Sequence, residues 1–150
     1  MFKRLFVALV LLLVAGVVFG AYRTLTPPSH LYFKSQHFSG CPKRPSCVSS
    51  MATDDLHRVA ALGYSGDFAA NYVMLKEVVE RMGGTIEHEQ EGYIHAVFLS
   101  PKLQLRDDLE LLMLPTGRVD VRSISRFSYD DRGSNRGRVE QLRQAFEAMP

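Results

Sequence analysis

Residues 5–22 carry no charged and no strongly polar side chain, and Lys3 and Arg4 stand immediately before them. Eighteen residues at about 1.5 Å each make roughly 27 Å of helix, close to the hydrocarbon thickness of a bilayer. Basic residues stay on the cytoplasmic side, so residues 1–22 read as a single-pass signal anchor. The expected address is the inner membrane, with the rest of the chain on its periplasmic, extracytoplasmic side. A cleaved signal peptide is the alternative: Val18 and Gly20 suit a cut after Gly20, whereas Phe19 is too bulky for one after Ala21. The length favours a retained anchor, and under either reading the domain is exported.

The anchor changes the meaning of the charge. The chain holds 18 Lys and Arg against 16 Asp and Glu. Residues 1–22 contain Lys3 and Arg4 and no acid, so setting that pair aside leaves 16 of each. The remaining chain has no cationic surplus with which to neutralise phosphates, and nucleic acid is excluded as a partner.

The 129 residues from Tyr22 onward suffice for one domain with its own core. Residues 23–40, with Pro27-Pro28 and scattered hydroxyls, read as a tether that holds the domain off the bilayer. Tyr32, Phe33 and Phe38 leave a second option open, packing on the domain or dipping into the headgroup layer. Residues 41–150 are the domain. It opens with Cys41 and Cys47, whose default in an oxidising compartment is a disulfide. Closing so small a ring contributes at most roughly 2 kcal/mol. A metal site on these thiols and a histidine is the sharper reading. The five-residue gap and the two available thiolates argue against it, and a redox pair would have two intervening residues. No metal or cofactor is expected.

Apolar residues Phe68, Tyr72, Leu75, Val79 and Met82 recur at helical spacing, with Asp67 as N-cap and Gly83-Gly84 as terminator. Residues 85–90, 93–99, 108–114 and 118–127 read as strands, separated by Glu91-Gly92 and by Pro115-Thr116-Gly117. Residues 135–149 close the chain as a helix, with Val139, Leu142, Phe146 and Met149 on one stripe. Strands joined by short turns pair antiparallel, so the expected fold is α+β: a transmembrane helix, then a four-stranded antiparallel sheet flanked by two helices on one face. In the last strand Val119, Val121, Ser123, Ser125 and Phe127 suit the packed side. Arg118, Asp120, Arg122, Ile124 and Arg126 alternate with them on a face that reads as solvated, a ladder with acids from neighbouring strands.

The segments Arg122-Ser-Ile-Ser-Arg126 and Asp131-Arg-Gly-Ser-Asn-Arg136-Gly-Arg138-Val-Glu140 resemble the signature of a family known as domain of unknown function 1499. Cys41-Pro-x-x-Pro-Ser-Cys47-Val-Ser-Ser50 is similar to that family's opening motif, and His57 to Leu62 and Leu105 to Glu110 to its middle ones. The resemblance runs from about Cys41 to the end. It implies exported or membrane-associated proteins and brings no established activity.

The same positions carry a physical reading. Asp131 or Ser134 can cap amides of the last helix, and Gly133 permits a positive φ. Asn135, Arg136 and Arg138 then occupy a helical start whose amides favour anions. With Arg122 and Arg126 they form the candidate pocket for an anionic small molecule or lipid headgroup, with Asp107, Asp108 and Asp131 also among its candidate residues. In the competing architectural reading Asn135 and Asp131 fix the loop, while the arginines bind Asp107 and Asp108 and pin helix to sheet.

Three functions follow as expectations. The first is a non-catalytic binding module for an anionic or amphiphilic ligand. The second is an adaptor for another envelope protein. A hydrolase built on Ser123 or Ser125, His95 or His57, and Asp107 or Asp108 ranks last. No Gly-x-Ser-x-Gly elbow, His-Glu-x-x-His or phosphate loop supports that third reading.

Overall fold

A computed structural model describes residues 2–35, 38–100 and 104–149. Helix α1 (Phe2–Leu25) contains the apolar run and is long and apolar enough to cross a membrane, a test that a signal sequence also passes. A single turn, α2 (Tyr32–Ser35), follows, and Cys41 and Cys47 are joined as a disulfide.

The domain is an antiparallel sheet with two helices laid across one face. Its strands are β1 (Cys47–Ser49), β2 (Leu62–Gly63), β3 (Thr85–Gln90), β4 (Tyr93–Leu99), β5 (Arg106–Leu114) and β6 (Arg118–Ser125). The helices are α3 (Phe68–Arg81) and α4 (Ser134–Glu147). The order across the sheet is β1-β6-β5-β4-β3, and β2 also pairs with β6. The sheet thus has six strands where alternation predicts four. The two extra strands span three and two residues, too short to show a period of two. Strand β6 stops at Ser125, so Phe127 lies beyond it and is exposed rather than packed.

The turns explain the meander. Gly92 and Gly117 adopt φ of 73° and 83°, the left-handed conformation that tight hairpins demand and that glycine adopts without steric cost. Asp67 caps α3 by accepting from the Ala70 amide at 2.8 Å. The core lies between the helices and one sheet face. Leu75, Val78 and Val79 of α3 and Val139, Leu142 and Phe146 of α4 meet Ile94, Ala96, Leu109, Leu111, Val119 and Val121. At Gly84 a Cβ would come within 2.6 Å of the Phe98 ring, so the chain crosses from α3 to β3 in direct contact with the sheet.

The other sheet face overturns an expectation. Asp120, Arg122 and Arg126 are buried, with Arg122 only 1% exposed, so this face is not solvated. The stretch preceding the disulfide covers it. Leu31 is completely buried, and the Tyr32 ring lies 4.9 Å from that of Tyr93. Phe33 stacks on His88 at 4.3 Å and approaches His95 at 5.6 Å. Tyr32 also meets Phe38 at 6.2 Å. Packing on the domain is therefore what these aromatics do, and part of the stretch that reads as a spacer is core material. The physical reason is simple: paired ions on a two-sided sheet need a lid, and the chain's own aromatics supply one.

Candidate functional site

Period-two alternation divides the candidate residues between two faces. Asp107 points to the helix side, where Arg138 donates to its Oδ2 at 2.7 Å. The same guanidinium donates to Asn135 Oδ1 at 2.6 Å and Ser123 Oγ at 3.0 Å, and lies 4.7 Å from the centre of the Phe98 ring. Asn135, fully buried, accepts from Ser123 Oγ at 2.6 Å and donates to the Ser46 carbonyl and Ser125 Oγ. Asp131 accepts the Asn135 amide at 2.7 Å and the Gly133 amide at 3.1 Å. That geometry caps α4, and Gly133 at its start has a φ of 80°, a left-handed conformation that glycine adopts without steric cost. Arg136 turns to the carbonyls of Leu56 and Arg58, each at 2.8 Å. This side binds α4 to β5, β6 and the flanking loops.

Arg122 and Arg126 lie on the opposite face. Strand register places Arg122 directly across from Glu110, and the two form a buried ion pair. Glu110 Oε1 also accepts from the Tyr32 amide at 2.7 Å and the Tyr93 hydroxyl at 3.0 Å. Burial, with the charge of Glu110 added, pushes the Tyr93 phenol well above its ordinary pKa, so it remains a proton donor. Arg126 grips Asp108 through Nε at 2.9 Å and Nη2 at 2.7 Å, and His95 Nε2 meets the same carboxylate at 2.7 Å. Burial alone would raise the Asp108 carboxyl. The hydrogen bonds from His95 and Arg126, and the charge of Arg126, outweigh it and hold the group below the usual range.

The expected pocket uniting Arg122, Arg126, Asn135, Arg136 and Arg138 is therefore not formed. Successive strand residues point apart, so the sheet itself separates Arg122 and Arg126 from the start of α4. Each of the five is bonded internally, as the architectural reading requires.

A different concavity lies where α1 joins the sheet. It encloses about 440 Å³ and is lined by Tyr22, residues 26–30, Arg44, Asp108, Ile124, Ser125 and Arg126. Arg126 forms its floor and reaches the helix end, its Nη1 donating to the Thr24 carbonyl at 2.9 Å. A cation at a helix C-terminus satisfies carbonyls that have no amide partner and complements the helix dipole. Arg44, inside the disulfide ring, donates to the Ser125 carbonyl at 2.6 Å. His30 is held below its ordinary pKa by burial first and by the charge of Arg122 second, so it is neutral at pH 7, and its Nε2 is buried without a partner. Sequence reasoning found Arg126 and Asp108 and missed His30 and Arg44. Both sit in segments read as linker or ring, and the only local signal was Arg44 between the two prolines of the ring.

Ser123 and Ser125 lie on the helix face, whereas His95 and Asp108 lie on the other. His57 Nδ1 meets Asp54 at 2.7 Å and its Nε2 the Arg44 carbonyl at 3.1 Å. Among the described residues no hydrogen bond joins either serine to either histidine, and no three His, Cys, Asp or Glu side chains form a metal-binding group.

Fold and site together define an antiparallel α+β domain whose charged sheet face is closed by its own amino-terminal segment. The model of a family described as "Protein of unknown function (DUF1499)" matches residues 37–146, and the chain belongs to that family. No curated protein and no solved structure matches the chain.

Proposed function

We propose that the protein is a single-pass, non-catalytic module of the inner membrane that binds an anionic amphiphile on the extracytoplasmic side, in the cavity beneath α1. The observation that supports this reading is the composition of that cavity. Arg44 and Arg126 bring two guanidinium groups to its wall, the donor type that suits an anionic headgroup. Tyr22, Pro27, Pro28 and Ile124 supply apolar wall for the remainder of an amphiphile. Tyr22 is also the last residue of the apolar span, so a ligand here would keep its tail beside the bilayer. Neutral His30 adds an unpartnered ring nitrogen for a polar headgroup.

The test is native mass spectrometry of the full chain released from membranes. An excess mass is expected on the wild-type protein and is expected to be lost on Arg44→Gln, which removes the cation without touching the Asp108–Arg126 pair. A bare wild-type mass overturns the reading and directs the search to an envelope-protein partner recovered by crosslinking.

A further inference from the structure

Outside α1, the large apolar side chains most exposed among the described residues are Met51, Leu56, Val73, Leu99, Phe127 and Tyr129. Three of these six belong to one end of the sheet. Leu99 pairs with Arg106, and the Arg126 amide donates to the Arg106 carbonyl at 3.0 Å, so Leu99, Arg106 and Arg126 lie abreast. Phe127 and Tyr129 follow at once and are 53% and 74% exposed. Helix α1 leaves from the same end, because Arg126 holds the Thr24 carbonyl. Thr24 stands about 3 Å along the axis from Tyr22. No part of the apolar span is buried against the domain, so the helix projects away from it at this point.

From this juxtaposition we infer that the Leu99–Phe127–Tyr129 end of the sheet is a membrane-docking surface, seated in the headgroup zone of the bilayer that α1 spans. The occupant follows from continuity: a helix fixed to Arg126 brings the bilayer surface to within a few residues of Phe127. Aromatic rings concentrate at that depth, where the ring meets acyl carbon and a tyrosine hydroxyl stays wet. Docking fixes the tilt of the domain and turns the opposite end, with Thr116, away from the membrane by the length of β6, about 23 Å. The inference rests on reading α1 as a retained anchor.

The chain contains no tryptophan, which gives a direct test. Phe127→Trp, Tyr129→Trp and Thr116→Trp each create a sole indole at an exposed site in the full chain, reconstituted in phospholipid vesicles. The expected result is blue-shifted emission for the first two, quenched strongly by lipids brominated high on the acyl chain, with Thr116→Trp red-shifted and unquenched. Equal, unquenched emission at all three sites in protein that resists carbonate extraction overturns the docking surface while leaving the anchor intact. Blue-shifted but unquenched emission also overturns it, in favour of a protein covering this end. Extraction by carbonate, with residues 1–22 missing from the intact mass, overturns both readings together.

Discussion

The two faces of this sheet are buried to a similar degree by different means. On the helix side, leucines and valines of β5 and β6 meet α3 and α4, and polar groups appear only at one end, around Asn135 and Arg138. On the other side the core is ionic: Arg122 with Glu110, and Arg126 with Asp108 and His95, closed over by Leu31, Tyr32 and Phe33. Apolar packing tolerates many partners of the right volume. A buried ion pair tolerates only its counter-ion, at its register, because an unpaired charge in such a place is severely destabilising. The ionic face therefore fixes the β5–β6 register and the seat of the amino-terminal segment, whereas the apolar face supplies most of the burial free energy. Arg122 and Arg126 are each held by an internal carboxylate on this face. The cavity beside Arg126 opens where this ionic face meets the end of α1.

Separating charge from shape on the ionic face gives the largest expected effect. Glu110→Gln retains an acceptor for the Tyr32 amide and the Tyr93 hydroxyl but leaves Arg122 uncompensated. A loss of about 3–5 kcal/mol is expected in urea unfolding followed by circular dichroism in micelles. Adding Arg122→Met should recover most of that loss. A double variant as unstable as the single would show that the pair matters for its hydrogen bonds rather than its charge.

Asn135→Ala tests the polar end of the other face. It leaves buried groups of Ser46, Ser123 and Ser125 without their partner and should cost about 1–3 kcal/mol in the same assay. A cost above that of Glu110→Gln would reverse the ranking of the two faces.

Acid gives the smallest effect. The Asp108 carboxyl lies below its ordinary value, so its contribution is complete above the unfolded pKa of about 3.9 and is lost as pH falls through the folded value. Carboxyl-carbon chemical shifts should show Asp108 titrating below the ordinary aspartate value of about 3.9. Titration above that value would mean that burial outweighs the His95 and Arg126 contacts.

Much of the fold was legible because its signals are local. The helical stripe from Phe68 to Met82, the cap at Asp67 and the glycine turns all act within a few residues. The family signature was legible in the same way, as short motifs. Strands β1 and β2 were not, since pieces of three and two residues are defined by β6 beside them rather than by their own pattern. The candidate site was legible in its members but not in its grouping. Arg138 and Asp107, 31 positions apart, meet on one face, whereas the neighbours Asp107 and Asp108 are divided by the sheet.

By itself the sequence determined an amino-terminal apolar helix, a close cysteine pair and an antiparallel α+β domain. Each of these depends on hydrophobic length, periodicity or a short spacing, properties that a linear string carries in full. Only the tertiary structure decided that the arginine face is buried, because a lid drawn from Leu31, Tyr32 and Phe33 lies far away in sequence from the strands it covers. The cavity is likewise a product of long-range closure. His30, Arg44 and Arg126 share a wall only after the sheet has formed, and no local pattern encodes a contact across 96 residues of chain.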